Sequence, residues 1–324
     1  MRALVAGGGG HIGSHLCDAL LAQGHQVTCV DNFSTAPRSN LRALEGREGF
    51  SVISADVSQP LESAPEVDWV FHLASPASPP EYLRRPLETL AVNSQGTWNL
   101  LDLAVSQGAR FLLASTSEVY GDPEVHPQVE TYWGNVNPNG PRSCYDESKR
   151  FAEALTAAFV RRGVVDARIA RIFNTYGPNS RPRDGRMVPN FISQALSGEK
   201  LTIYGKGNQT RSLCYVRDTV RGLLLLMDIE EASGVVVNVG NPEEHTVEEY
   251  AELISRLCGV EHEISYLPLP EDDPVRRRPD ISKARELLGW EPEWSLADGL
   301  EATITWFRSI LEVSGRSLEQ PSPA

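Results

Sequence analysis

Residues 2–6 (RALVA) form a short apolar run that stops at Gly7; glycines recur at Gly10 and Gly13, and an amphipathic stretch follows over 11–23. A strand feeding a glycine turn that opens a helix constrains this chain more than any other feature. Residues without side chains let the turn tighten and let backbone N–H groups close on a pyrophosphate at the helix N-terminus. A second apolar run, 26–30 (QVTCV), ends at Asp31. A carboxylate there accepts bonds from the adenosine ribose hydroxyls and repels a 2′-phosphate, so the expected dinucleotide is NAD and not NADP.

The alternation continues. Apolar runs at 50–54, 67–72, 110–115 and 166–171 read as strands, and periodic stretches at 93–107 and 145–162 read as helices. Such alternation builds a parallel sheet covered on both faces. The expected fold class is α/β: a Rossmann-type doubly wound parallel sheet with a smaller C-terminal α/β substrate-binding lobe. In the second half, 174–186 is rich in Asn, Pro, Gly and Arg and reads as loop. Helices are expected near 187–197, 217–229, 246–258, 281–288 and 296–312, and strands near 201–204, 235–238 and 263–267. These signals divide the chain into a dinucleotide domain over 1–173, a lobe over 174–314 that partly returns to the sheet, and a polar tail over 315–324.

Composition removes several function classes. With 324 residues, 41% of them hydrophobic and 23% charged, the chain can bury a full core. A net charge of −13 argues against sequence-independent nucleic-acid binding and against docking on anionic membranes. No apolar stretch approaches the roughly 20 residues of a membrane span. Five cysteines without a CxxC pair read as inert thiols of a reducing compartment, so the expected location is the cytoplasm. His11 and His15 lie one helical turn apart but lack a carboxylate partner, so no metal site is expected.

Tyr145 and Lys149 stand four residues apart on a helical stretch, which puts both side chains on one face. A nearby ammonium stabilises phenolate and lowers the phenol's pKa. The strand 110–115 runs into Ser115-Thr116-Ser117-Glu118, three hydroxyls and a carboxylate at the edge where ligands bind in such sheets. His72-Leu73-Ala74-Ser75 ends another strand at the same edge, and Asp56-Val57 follows the third, where the Asp can meet an adenine amino group or cap the next segment.

Longer stretches carry a resemblance: HLASPASPPEY at 72–82, LLASTSEVYGDPEVHPQ at 112–128, ARIFNTYGPNSRPRDGRMVPNFI at 170–192, VGNPEEHTVEEYAELI at 239–254 and RRRPDISKARELLGWEP at 276–292. Over essentially its whole length the chain resembles extended short-chain dehydrogenases acting on nucleotide sugars, and within them the UDP-glucuronate decarboxylases. The GxxGxxG spacing agrees. The resemblance implies tightly bound NAD, a UDP-sugar substrate, a homodimer, and a sugar oxidised at C4, decarboxylated and reduced again. It implies catalytic roles for Thr116, Ser117, Glu118, Tyr145, Lys149 and Arg277. Cofactor contacts are expected from Gly7, Gly10, His11, Ile12, Gly13, Asp31, Asn32, Asp56, Val57, Leu73, Ala74, Ser75, Asn93 and Ser115, with Tyr145 and Lys149. Substrate contacts are expected from Ser78, Glu118, Asn174, Arg186, Tyr204, Arg211 and Arg277.

Rival readings stay open. A 4,6-dehydratase carries Thr-Asp-Glu, where the Asp protonates a leaving hydroxyl; here Ser117 replaces it, and a serine can bond a carboxylate without repelling it. A 4-epimerase needs neither Glu118 nor Arg277. A non-catalytic NAD-sensing regulator would need none of Tyr145, Lys149, Thr116 and Glu118. The cluster Arg276-Arg277-Arg278 reads either as a solvated basic turn or as a partner for phosphate or carboxylate, with Asp272 and Asp273 balancing its charge.

Overall fold

A computed structural model of the chain describes residues 1–61, 64–261, 263–269 and 276–314. His262, Asp272, Asp273 and the 315–324 tail lie outside the described residues. The apolar runs become β1 (Arg2–Ala6), β2 (Gln26–Asp31), β3 (Phe50–Ser54), β4 (Trp69–His72), β5 (Arg110–Thr116) and β6 (Ala167–Ile172). With the strand Val236–Val239 they form one seven-stranded parallel sheet in the order Val236–Val239, β6, β5, β4, β1, β2, β3.

Period-two alternation decides which face each side chain enters. In β5, Phe111 and Leu113 pack with Leu100, Leu101 and Ala152 from the helices Thr97–Gln107 and Ser143–Arg161. Leu112 points the other way, to the cluster of Cys17 and Leu20 from α1 (His11–Ala22) and of Leu223 from the helix Val216–Asp228. Both faces are covered, so the central strands are apolar throughout. Burying each such Leu or Phe contributes about 1.5–3 kcal/mol relative to exposure.

Chain direction across the sheet reverses between β1 and β4. This switch point opens a crevice beyond the strands' carboxyl ends, where Leu73 N donates to Ala6 O at 2.8 Å. Among the described residues no helix is long and apolar enough to cross a membrane.

Some elements differ from the sequence reading. The helix expected over 93–107 starts at Thr97, because Val92–Gly96 winds as a π-turn continuing from the helix Pro86–Ala91. That helix and Pro79–Arg84 both begin on proline, a first-turn signal that the periodicity reading passed over. The run 174–186 contains the short strand Thr175–Tyr176. The basic cluster is no solvated turn: Arg276–Arg277 is a short strand beside Thr210–Ser212, whose other neighbour is Glu244–Thr246.

Candidate active site

The β1–α1 loop is built on contacts that only glycine permits. Gly7 has φ +79°, and a Cβ on it would lie 2.6 Å from Ala74 N. On Gly13 a Cβ would sit 2.1 Å from Gly7 O. Neither neighbour can yield, because both are backbone. Gly13→Ala is therefore expected to pull the loop open and abolish NAD retention, read as the nicotinamide released on denaturing the purified variant; normal retention would contradict the cradle. At the start of α1 no acidic side chain occupies the first turn, which leaves N–H donors for phosphate. His11 adds two buried ring nitrogens without hydrogen-bond partners, and its pKa is driven well down, first by burial and then by Arg186.

Asp31 ends β2, where its Oδ2 accepts from Gly9 N at 2.9 Å and its Oδ1 from Phe33 N at 2.8 Å. The carboxylate is thus tied to the glycine loop. This cradle and carboxylate fit an NAD-type dinucleotide.

A cavity of about 570 Å³ extends from the loop over the ends of β4 and β5. Into its wall come Gly7, Gly10, His11, Ile12 and Gly13, Leu73 and Ser75, Ser78, and Ser115 through Glu118. Tyr145, Lys149, Asn174, Arg186, Tyr204, Arg211 and Arg277 complete the expected residues that line it. Asp31, Asn32, Asp56, Val57, Ala74 and Asn93 do not line it. Asn93 is fully buried behind it, donating to Ser75 Oγ and Ser148 Oγ at 3.0 Å each. Asp56 accepts from Ser58 N at 2.9 Å, the turn-capping alternative, and from Asn32 Nδ2 at 3.2 Å. Ser115 turns its hydroxyl to Glu153 at 2.5 Å.

Tyr145 sits in the first turn of Ser143–Arg161, 6% exposed, and hydrogen-bonds Thr116. Burial raises the phenol pKa above its usual value, and the Thr116 bond opposes the rise. Lys149 Nζ lies 5.9 Å from the Tyr145 ring centroid and donates to Ala114 O at 2.9 Å. Burial lowers the ammonium to about 8, against the pull of Glu153.

Glu118 is the electrostatic centre. Its Oε1 accepts from Arg277 Nη1, and its Oε2 from Arg142 Nη2 at 2.6 Å. Burial alone would keep the acid neutral, but the two guanidinium groups overcome it and hold the carboxyl well below the usual range. Arg277 is 2% exposed, donates to Gly121 O at 2.9 Å, and keeps a buried Nε without a partner. The expected pairing of Arg211 and Arg186 with a diphosphate is compatible with their place in the wall, although Arg186 Nε donates to Asp184 at 2.8 Å.

Three neighbours were invisible to motif reading. Arg142 shares Glu118 with Arg277 across the fold. Tyr82 stacks on Tyr145, with centroids 5.0 Å apart and planes 5° from parallel. Asp146 is 6% exposed, and burial together with the Glu118 charge pushes it up to about 7.

Residues 3–240 match the family described as NAD dependent epimerase/dehydratase. The chain belongs to that family. Against UDP-glucuronic acid decarboxylase 1 of Xenopus tropicalis this family member is 54% identical, covering 100% of its own length and 76% of the relative's. A UDP-glucuronic acid 4-epimerase of Bacillus cereus, solved with UDP-glucuronic acid and NAD, superposes with TM-score 0.86 at 29% identity, over 96% of this chain and 100% of that one. A dTDP-glucose 4,6-dehydratase of Streptomyces venezuelae, solved with NAD, gives TM-score 0.87 at 28% identity, over 97% and 98%. NAD is the cofactor of this family, as the glycine cradle requires.

Proposed function

We propose that this family member is a UDP-glucuronate decarboxylase, forming UDP-xylose and CO₂. What carries the assignment is the buried Arg277–Glu118–Arg142 cluster in one cavity with Tyr145 and Thr116, in a chain 54% identical to a protein of that name. An epimerase has no need of such a cluster, and Ser117 lacks the acid that a dehydratase uses to expel hydroxide.

Bound NAD supplies a hydride acceptor, and later a donor, at the sugar C4. Tyr145 removes the proton of the 4-hydroxyl, with Thr116 bonding the same oxygen and the Lys149 charge favouring phenolate. A 4-ketone lies β to the C6 carboxylate, so the electron pair released with CO₂ spreads onto the ketone oxygen. Arg277 orients the departing carboxylate, helped by its unpartnered Nε. Glu118, ionised between two arginines, orients water at C5. Residues 1–173 hold the dinucleotide. Asn174, Arg186, Tyr204 and Arg211 from the 174–314 lobe, with Ser78, hold the UDP-sugar.

Leu87 at 75%, Trp98 at 46% and Phe151 at 49% exposure place apolar surface on adjoining helices. We assign this face to a homodimer; a monomeric mass by sedimentation would sink that. The five free, buried cysteines suit a reducing cytoplasm, and labelling that places the chain in a secretory lumen would overturn that location. The deciding experiment incubates the protein with UDP-glucuronate and NAD⁺. CO₂ and UDP-xylose are expected; UDP-galacturonate without CO₂ would show an epimerase instead.

A further inference from the structure

The proposed reaction consumes a proton that Tyr145 does not provide. Tyr145 takes the proton of the 4-hydroxyl and returns it to the same oxygen when the ketone is reduced, for no net gain. The substrate carboxylate leaves as neutral CO₂, its bonding pair stays on the sugar, and C5 must acquire a new C–H bond. Glu118 is a poor source, because two guanidinium groups hold it ionised.

We propose, on the decarboxylase reading, that Asp146 stores this proton and delivers it through the Tyr82 hydroxyl. Asp146 follows Tyr145 directly and is 6% exposed, and its Oδ1 is buried without a hydrogen-bond partner. Tyr82 is 1% exposed, lines the cavity and stacks on the Tyr145 ring, and its hydroxyl is likewise buried and unpartnered. The Glu118 charge acts electrostatically on both groups, and Asp146 acts on Tyr82. Orphaned buried polar atoms are costly, and two of them beside one reacting centre fit a relay that a bridging water completes. In the step, the pair left on C5 takes a proton from the water that Glu118 orients, the resulting hydroxide takes the Tyr82 proton, the Tyr82 oxygen takes the Asp146 proton, and the Asp146 carboxylate is reprotonated from solvent.

The charge surroundings suit a store. Burial and the carboxylates of Glu118 and Glu147 disfavour ionisation of Asp146, while Arg142 and Arg277 oppose them. The acid is therefore held neutral further up the pH scale than an exposed aspartate, and can still give up its proton near neutrality.

The test uses the NAD-loaded wild type, Asp146→Asn and Tyr82→Phe, each turning over UDP-glucuronate. Asp146→Asn should lower kcat for UDP-xylose by about 10²-fold, leave the first appearance of reduced nicotinamide at the wild-type rate, and leave KM within a few-fold. The wild-type kcat should fall as pH rises through about 7, and Asp146→Asn should lack that limb. A merely structural residue would change neither the limb nor the split between the two rates. Asp146→Asn with the wild-type kcat and an intact limb would overturn the proposal. If that variant does not fold, wild type and Tyr82→Phe decide: a limb near neutrality with a kcat loss in Tyr82→Phe supports the relay, and a flat profile or an undiminished Tyr82→Phe sinks it. Absence of CO₂ from the wild type would instead remove the decarboxylase reading, and this proposal with it.

Discussion

Tyr145→Phe is expected to keep the fold and the bound NAD while lowering kcat about 10³-fold, within the range that a positioned proton acceptor contributes. The substitution removes one oxygen. Its ring stack on Tyr82, at 5.0 Å between centroids, survives in phenylalanine. What disappears is the Thr116 bond and the only atom of residue 145 able to take a proton. A lost hydrogen bond costs about 1 kcal/mol, and relief from burying a phenol offsets part of it, so melting should move little. Because the loss falls on the first chemical step, mixing with UDP-glucuronate should give almost no reduced nicotinamide. A variant that still reduces its nicotinamide at near the wild-type rate would remove Tyr145 from the chemistry, and a chain that only sensed NAD would be indifferent to the change.

The dinucleotide half of this site was legible because its signals are local. Gly7 and Gly10 lie in the turn between a strand and a helix, Gly13 lies in that helix's first turn, and both Tyr145 and Lys149 fall on one helical face. Apolar runs likewise marked the strands of the sheet, but which face Phe111, Leu112 and Leu113 enter came from the structure. Local signals stop where partners come from distant segments. Arg142 and Arg277 meet at Glu118 although 135 positions (277 − 142) separate them in the chain, and neither announces the other. A two-residue strand such as Arg276–Arg277 is too short to show any period, so the burial of Arg277 could be found only from the pairing with Thr210–Ser212. Asn93, an expected cofactor contact, shows how much of a side chain's setting is non-local: its Nδ2 holds Ser75 and Ser148, and its buried Oδ1 has no partner.

Glu118→Gln should be the most damaging single change, lowering CO₂ formation on the order of 10³-fold and the unfolding free energy by about 3 kcal/mol, the lower part of the range for breaking a buried ion pair. Glutamine keeps one carbonyl oxygen but turns an N–H₂ group toward a guanidinium, so Arg277 and Arg142 cannot both be satisfied. The pH dependence carries the sign. Against burial, Arg277 and Arg142 depress the folded-state pKa of Glu118 below its ordinary 4.5. Its contribution is therefore present above about 4.5 and is lost as pH falls through the depressed value. The stability gap between wild type and Glu118→Gln, from urea unfolding, should be widest near pH 5–6 and narrow below about 4.5. It should also narrow as pH rises toward about 7, because over that range Asp146 is ionised in the unfolded chain but still neutral in the folded wild type, held up partly by Glu118, and it should be level above about 7. A gap independent of pH on the acid side would mean that Glu118 is not held by the two arginines, and the buried cluster on which the decarboxylase reading rests would fail with it.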